Sequence, residues 1–267
     1  MRGDEDAAEG RGAAAGPGRR LPEPAAGWAF FLDVDGTLLE HAARPDAVAA
    51  NPHILRLLAS LHRGADGALA LISGRSLGTL DALFAPLGLP AAGQHGVERR
   101  DAQGRMHLHD FPAEALRSAA ARIGSFAAQS EGLILEDKGR SVALHYRLAP
   151  RLGEAALATV RSAAGALGGA FEVLVGKMVV ELKPSGRDKG SAIEEFMREA
   201  PFAGRVPVFL GDDVTDEAGF AVVNRLGGHS IKVGAGPSAA RWGAADAAAV
   251  RAWLDGWTAR FGAGAAP

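Results

Sequence analysis

The chain of 267 residues contains no cysteine. This absence excludes disulfides, zinc sites built on thiolates and cysteine nucleophiles, and it fits a reducing compartment. An excess of either charge is also missing, because 29 basic residues face 31 acidic residues and the formal net charge is −2. Nucleic-acid binding requires a strong basic excess, so we expect no nucleic-acid partner.

Long apolar runs are missing as well. No stretch approaches the roughly 18 apolar residues needed to cross a membrane, and the first 20 residues lack the apolar centre of a secretory signal. We therefore expect a monomeric, cytoplasmic protein with no membrane partner. Apolar residues still make up 48% of the chain, which is enough for a packed core.

Three short apolar runs each end in a polar cluster, and segments with helical spacing of apolar residues separate them. Short continuous apolar runs are typical of strands buried on both faces of a parallel sheet. The alternation of strand and helix predicts a doubly wound, Rossmann-like α/β fold, in which ligands bind at the carboxyl ends of the strands. The runs and their clusters are Trp28–Leu32 with Asp33–Thr37, Ala68–Ile72 with Ser73–Arg75, and Val206–Leu210 with Gly211–Asp213.

A second pattern occupies residues 104–184, where a helical segment followed by two strand-like segments occurs twice. This pattern predicts a smaller α+β module with a four-stranded antiparallel sheet, inserted into the larger fold. The larger fold would then consist of residues 28–103 and 185–261. Residues 1–27 and 262–267 are rich in Gly, Ala and Pro, and we expect them to be disordered tails.

Two predicted strands of the module, within 141–147 and 177–183, alternate apolar and polar side chains. Because side chains of a strand alternate between its two faces, one face of the module is apolar and the other is polar. The polar face is either solvated, which is usual for antiparallel sheets, or binds a ligand. Its members are His145, Arg147, Lys177, Glu181 and Lys183.

Asp33 and Asp35 are two carboxylates placed where an apolar strand ends. Like charges this close need a proton or a cation to coexist, and Mg²⁺ is a hard cation that prefers oxygen ligands. A second acidic cluster follows the strand 206–210. We assign Asp212 of that cluster to the metal and Asp213 to the metal or its support.

Asp216 of the second cluster is left open between support of the metal and capping of a helix. Ser73 and Gly74 follow another strand, where a hydroxyl and backbone N–H groups can hold a phosphoryl oxygen, although Ser-Gly is also a common turn. Lys189 begins a predicted helix, where a cation is unfavourable unless it faces an anion. A carboxylate nucleophile, a cation, a lysine and amide donors together indicate phosphoryl transfer.

These motifs, in this order, resemble the four signature motifs of the haloacid dehalogenase superfamily. Within that superfamily the inserted module resembles the cap of the trehalose-6-phosphate phosphatases. Gln94 stands where that family usually has a glutamate before its His-Gly. The phrases that carry the resemblance are Leu71-Ile72-Ser73-Gly74-Arg75, Gln94-His95-Gly96, His145-Tyr146-Arg147, Gly176-Lys177 with Glu181, and Gly211-Asp212-Asp213 with Thr215-Asp216-Glu217.

The resemblance implies a catalytic role for each motif. Asp33 would attack phosphorus and form an aspartyl-phosphate, and Asp35 would act as general acid and then as general base. Mg²⁺ would be bound by Asp33, by the backbone carbonyl of Asp35 and by Asp212. Ser73 and Lys189 would bind the phosphoryl oxygens.

The resemblance further implies that the substrate is trehalose 6-phosphate. The sugar would be held by the residues that match the family's binding positions, namely Arg147, Lys177, Glu181 and His95. Arg75 either supports the site or pairs with a nearby acid. The alternatives are another sugar phosphatase or a hexose phosphomutase with the same core, and an inactive sugar-phosphate sensor, against which the intact aspartates 33 and 35 argue.

Overall fold

A computed structural model describes residues 20–41 and 50–262 of the chain. The strands are β1 (Trp28–Leu32), β2 (Leu69–Ile72), β3 (Ala91–Gly93), β4 (Glu98–Arg100), β5 (Met106–Leu108), β6 (Ile134–Asp137), β7 (Val142–His145), β8 (Phe171–Gly176), β9 (Val179–Pro184), β10 (Val206–Gly211), β11 (His229–Val233) and β12 (Trp242–Ala244). The α-helices are α1 (Pro52–Gly64), α2 (Leu77–Phe84), α3 (Ala113–Ala128), α4 (Gly153–Gly165), α5 (Lys189–Met197), α6 (Glu217–Arg225) and α7 (Ala247–Phe261). Within the described ranges, no helix combines the length and the apolar character that a membrane crossing requires.

The larger of two sheets has eight strands in the order β12-β11-β10-β1-β2-β3-β4-β5. Its central strand β1 is buried throughout and runs parallel to β10 on one side and to β2 on the other, with Phe31 opposite Phe209 and Ala70. The carboxyl ends of β1, β2 and β10 therefore lie side by side, as the apolar runs predict. The predicted α/β fold is confirmed.

Helices cover the large sheet because their sequences supply both caps and apolar faces. In α1, the side chain of Asn51 accepts a hydrogen bond from the backbone N–H of Ile54, and Pro52 occupies the first turn. The buried side chains of α1 repeat at helical spacing and join the main core. They are Ile54, Leu57, Leu58 and Leu61.

The smaller sheet has four antiparallel strands in the order β6-β7-β9-β8. One of its faces packs on α3 and α4 through the apolar side chains of β7 and β9, namely Val142, Leu144, Val180 and Leu182. The opposite face presents Glu181 and His145 to a cleft between the two sheets. The alternation predicted from the sequence is confirmed.

Two boundaries differ from those expected. The strand β5 is part of the large sheet, where it pairs with β4, although the sequence pattern places residues 104–184 in the inserted module. Residues 20–27 of the expected tail lie against α7, because the indole N–H groups of Trp253 and Trp257 donate to the backbone carbonyls of Pro22 and Ala25. Residues 1–19 and 263–267 of the expected tails lie outside the described residues.

Candidate active site

The cleft between the two sheets encloses about 1030 Å³ of space that is open to solvent. Its floor is formed by the residues that follow β1, β2 and β10, and its roof by the polar face of the small sheet. In parallel α/β sheets, the clefts that bind small molecules lie at the carboxyl ends of the strands. The floor and roof are therefore the two halves of a ligand site.

An acidic cluster lies at the centre of the floor. Asp33, Asp212 and Asp216 each offer a carboxylate oxygen, and the three oxygens lie within 4.8 Å of one another. The Nζ of Lys189 donates to Asp33 at 2.8 Å and to Asp216 at 2.6 Å. When all are ionised, three carboxylates and one ammonium leave two negative charges uncompensated. This donor set of hard oxygens could hold a divalent metal ion.

The buried position of the cluster shifts the ionisation of its members. Burial raises the pKa of Asp33 well above its usual range, and the neighbouring carboxylates of Asp216 and Asp212 raise it further, against the opposing effect of Lys189. Burial alone would lower the pKa of Lys189, but the carboxylates of Asp216 and Asp33 outweigh it and raise that pKa. The lysine therefore remains charged in the cluster.

Two glycines make room for the cluster. Gly36 lies within the polar cluster Asp33–Thr37 and has a φ of +88°, and a Cβ at this position would lie 2.3 Å from Oδ2 of Asp212. A Cβ on Gly211 would lie 2.3 Å from Cγ of Asp216. Both separations are far below contact distance, so any larger residue at either position displaces a carboxylate of the cluster.

The acidic cluster includes Asp216, which the sequence left open between support of the metal and capping, whereas Asp213 lies outside the cluster. Asp213 has extended backbone angles and directly follows Asp212, so the two side chains project in opposite directions. The Oδ1 of Asp213 accepts from the backbone N–H of Val214, and its Oδ2 accepts from the backbone N–H of Lys177 in the roof. Its backbone N–H donates to Oδ2 of Asp216 at 2.9 Å.

Asp35 lines the cleft beside the acidic cluster, and its carboxylate pairs with Arg75. The guanidinium donates from Nε to Oδ2 at 2.6 Å and from Nη2 to Oδ1 at 2.7 Å. This two-point contact fixes the plane of the carboxylate. Ser73 is buried next to the pair, and its Oγ accepts from the backbone N–H of Arg75 at 3.1 Å.

The roof meets the floor through a buried group of polar side chains. Glu181 accepts from Nζ of Lys138 at 2.9 Å, and its other oxygen lies 2.6 Å from the hydroxyl of Ser141. The same ammonium donates to the backbone carbonyl of Gly74 in the floor at 2.8 Å. Burial alone would raise the pKa of Glu181, but Lys138 and His95 outweigh it and hold that pKa well below its usual range.

His95 lies between floor and roof on a strained backbone. Gln94 and His95 have φ angles of 48° and 58°, a left-handed conformation that is uncommon for residues other than glycine. The Nε2 of His95 lies 3.3 Å from Glu181, and burial lowers the pKa of the imidazole. A Cβ on Gly74 would lie 2.7 Å from this Nε2, so the glycine allows the ring to reach its position.

The remaining roof residues of the sequence assignment, Arg147 and Lys177, also line the cleft. Arg147 donates from Nη2 to the backbone carbonyl of Lys177 at 3.1 Å. One lining residue that sequence reasoning missed is His41, whose Nε2 lies 2.8 Å from Oδ2 of Asp212. It follows β1 by nine positions in an irregular segment, so no periodicity pointed to it.

Known proteins are similar to this chain over most of its length. The family model described as trehalose-phosphatase matches residues 31–249. The chain is 48% identical over 239 residues to the trehalose-6-phosphate phosphatase of Escherichia coli (strain K12), with 90% of each protein covered. It is 46% identical over 207 residues to a probable trehalose-phosphate phosphatase of Sinorhizobium fredii, with 78% of each covered.

Solved structures show the same fold. The C-terminal domain of the C. albicans trehalose-6-phosphate phosphatase superposes with a TM-score of 0.77 at 20% identity, covering 87% of this chain and 92% of that one. A trehalose-6-phosphate phosphatase related protein superposes with a TM-score of 0.73 at 28% identity, covering 86% and 97%. The resemblance seen in the motifs is confirmed. The chain therefore belongs to the trehalose-phosphatase family and is a phosphoric monoester hydrolase.

Proposed function

We propose that the protein hydrolyses trehalose 6-phosphate to trehalose and phosphate, with Mg²⁺ as cofactor. The observation that carries this proposal is the pairing of two unlike surfaces across one cleft. The floor offers an acidic cluster and a lysine, which suit a phosphoryl group and its counter-ion. The roof offers charged hydrogen-bonding side chains, which suit the hydroxyl groups of a sugar.

The carboxylates of Asp33, Asp212 and Asp216 would hold the Mg²⁺, and their donor chemistry fits it. Magnesium takes oxygen ligands and retains several waters, so three carboxylates on one side of a cleft suffice. When bound, the ion neutralises charge on the phosphoryl oxygens and on the nucleophile. Lys189 keeps Asp33 and Asp216 in place by donating to both.

Chemistry would proceed in two steps at Asp33. In the first step a carboxylate oxygen of Asp33 forms a bond to phosphorus while the bond from phosphorus to the sugar oxygen breaks, and Asp35 gives a proton to that oxygen. In the second step Asp35 takes a proton from water, the water oxygen bonds to phosphorus, and the bond to Asp33 breaks. Free phosphate results, Asp33 is again a carboxylate, and Asp35 again carries the proton with which it began.

The positions of Asp35 and Arg75 support this division of roles. Asp35 lies outside the acidic cluster and lines the cleft with a side chain that is 31% exposed, so a leaving sugar oxygen and a water can reach it. The two hydrogen bonds from Arg75 hold the carboxylate toward that space. Asp33 is buried with Lys189 and is positioned by it as the nucleophile.

Specificity for the sugar would come from the roof. Arg147, Lys177, Glu181 and His95 line the same cleft as the acidic cluster. Two further residues of the same sheet face, Glu136 and Lys138, add a carboxylate and an ammonium. Because all of these groups come from one chain, we also propose that a monomer is sufficient for activity.

Phosphate release from a panel of phosphorylated sugars tests the proposal. We expect trehalose 6-phosphate to have the highest kcat/KM, and we expect a chelator to abolish release and added Mg²⁺ to restore it. Preference for glucose 6-phosphate would contradict the substrate assignment. Interconversion of hexose phosphates without phosphate release would indicate a mutase, and binding without any turnover would indicate a sensor.

A further inference from the structure

We propose that Asp213 is a latch that holds the roof closed over the cleft and links closure to the acidic cluster. The partner of Asp213 is the tip of the β8–β9 hairpin, Gly176–Met178, which we call the hairpin tip. Oδ2 of Asp213 accepts from the backbone N–H of Lys177 at 3.3 Å. A Cβ on Gly176 would lie 3.3 Å from this same oxygen, so the hairpin tip lies directly against the carboxylate.

The contacts between roof and floor are unequal on the two sides of the cleft. On one side they are numerous and buried or partly buried, and they include Lys138 with the carbonyl of Gly74, the amide of Gln94 with the carbonyl of Lys138, and His95 with Glu181. On the other side, within the described ranges, the hydrogen bond from Lys177 to Asp213 joins the hairpin tip to the floor, and it is exposed. The roof would therefore open at the hairpin tip and pivot about the buried side.

The latch is connected to the acidic cluster through the short turn Val214–Asp216. The Oδ1 of Asp213 caps this turn by accepting from Val214, and its backbone N–H donates to Oδ2 of Asp216. The other oxygen of Asp216 accepts from Lys189 at 2.6 Å. One residue thus contacts both the moving roof and the cluster that would hold the metal, which makes Asp213 a positioning residue.

The turn at the hairpin tip permits a selective test. Gly176 pairs with Val179, so Lys177 and Met178 are the two central residues of the turn. Met178 has a φ of 65°, whereas Lys177 has no positive φ. This is the pattern of a type II turn, which accepts proline at its first central position. Lys177→Pro therefore removes the backbone N–H without opposing the turn, and Lys177→Ala removes the same side chain but keeps the N–H.

Activity on two substrates measures the latch. The substrates are trehalose 6-phosphate and p-nitrophenyl phosphate, which has no sugar for the roof to hold. This kinetic experiment rests on the proposed function, because it uses trehalose 6-phosphate. An exposed hydrogen bond of this kind corresponds to about a 2- to 10-fold change in an equilibrium. We expect Lys177→Pro to raise KM for trehalose 6-phosphate by about that factor relative to Lys177→Ala, with equal activity of the two variants on the aryl phosphate.

A second variant tests the acceptor. Serine keeps the capping of the turn but is too short to reach the roof, so Asp213→Ser should raise KM as Lys177→Pro does. Both changes remove the same hydrogen bond, so their effects on KM should not add. The KM of the double variant should differ from that of Asp213→Ser only by the effect of losing the lysine side chain. Additive effects would contradict the latch. Thermal unfolding of each variant identifies any that fails to fold.

The position of the roof can be measured without turnover by labelling two engineered cysteines. Because the chain has no native cysteine, the labels attach only at these two positions. Arg56 in α1 and Arg161 in α4 are exposed and suit Arg56→Cys and Arg161→Cys with spin labels. We expect the distribution of label distances to broaden in Asp213→Ser and Lys177→Pro but not in Lys177→Ala. Identical distributions in all variants would overturn the latch. Absence of trehalose 6-phosphate turnover in the unmodified protein would overturn only the proposed function, since the distance measurement does not need substrate.

Discussion

Replacement of Lys189 by glutamine tests how much this lysine stabilises the negatively charged acidic cluster. The lysine and its two partner carboxylates, on Asp33 and Asp216, have side chains that are only 3%, 6% and 0% exposed. Lys189→Gln leaves both carboxylates buried without their cation. Removing one partner of a buried ion pair costs about 3–5 kcal/mol because the remaining charge is uncompensated.

The expected loss translates into a measurable shift of melting temperature. In chains of 150–250 residues, 1 kcal/mol corresponds to about 2–4 °C, so the metal-free variant should melt roughly 6–20 °C below the unmodified protein. The raised pKa of Lys189 means that its stabilising contribution is fully present at pH 7 and is lost only as the pH rises above about 10.4, the ordinary pKa of lysine. The lysine therefore stays charged between pH 6 and about pH 9, and Lys189→Gln should melt below the unmodified protein throughout this range.

The assay is thermal unfolding of both proteins with chelator and with Mg²⁺. Because the variant carries one positive charge fewer beside the same three carboxylates, Mg²⁺ should bind it more tightly and raise its melting temperature by more than that of the unmodified protein. Lys232→Gln is a matched control, since this buried lysine donates to the backbone carbonyls of Asp212 and Val233, which an amide can also satisfy. If the melting temperature of Lys189→Gln falls by less than about 2 °C, or by the same amount as that of Lys232→Gln, then Lys189 does not compensate the buried carboxylates.

Three further predictions follow from other contacts of the cleft. Gly36→Ala places a Cβ 2.3 Å from the carboxylate of Asp212, so Mg²⁺ affinity measured by titration calorimetry should fall by more than about 10-fold; unchanged affinity would contradict the metal assignment. The neighbours of Glu181 hold its pKa below its usual value, so the stabilising contribution of the carboxylate is lost as the pH falls below about 4.3. Glu181→Gln should therefore melt at a lower temperature than the unmodified protein at pH 7, but should lose less stability than that protein between pH 5 and pH 3. Arg75→Lys cannot make both bonds to Asp35, so kcat should fall by about 10-fold or more at nearly constant KM, and a change confined to KM would assign Arg75 to substrate binding alone.

Much of the fold could be predicted because the signals were local. The strand β1 was bounded correctly as Trp28–Leu32, since five apolar residues end abruptly in a polar motif. The two faces of β7 and β9 were separated correctly, because alternation along a strand depends only on the pleat. The short strand β5 was misplaced, since its residues Met106–Leu108 are exposed and belong to no buried apolar run, and its pairing with β4 is fixed only by the tertiary fold.

The acidic cluster shows where sequence reasoning stops. Asp212, Asp213 and Asp216 fall within five positions, and composition alone does not decide which of them approach Asp33. Asp213 is extended and a tight turn follows it, so the side chain of Asp213 points toward the roof and that of Asp216 points back toward the floor. The packing of residues 20–27 was missed because their Gly, Ala and Pro content predicted disorder, whereas the indole N–H groups of two tryptophans far along the chain donate to this segment.

Trapping of the covalent intermediate tests most directly whether Asp33 is the nucleophile. Borohydride added during turnover of trehalose 6-phosphate reduces an aspartyl-phosphate to homoserine, and peptide mass spectrometry then locates the altered residue. We expect homoserine at position 33, dependent on both substrate and Mg²⁺ and absent from the Asp33→Asn variant. Homoserine at position 35, or steady hydrolysis without any altered aspartate, would contradict this expectation.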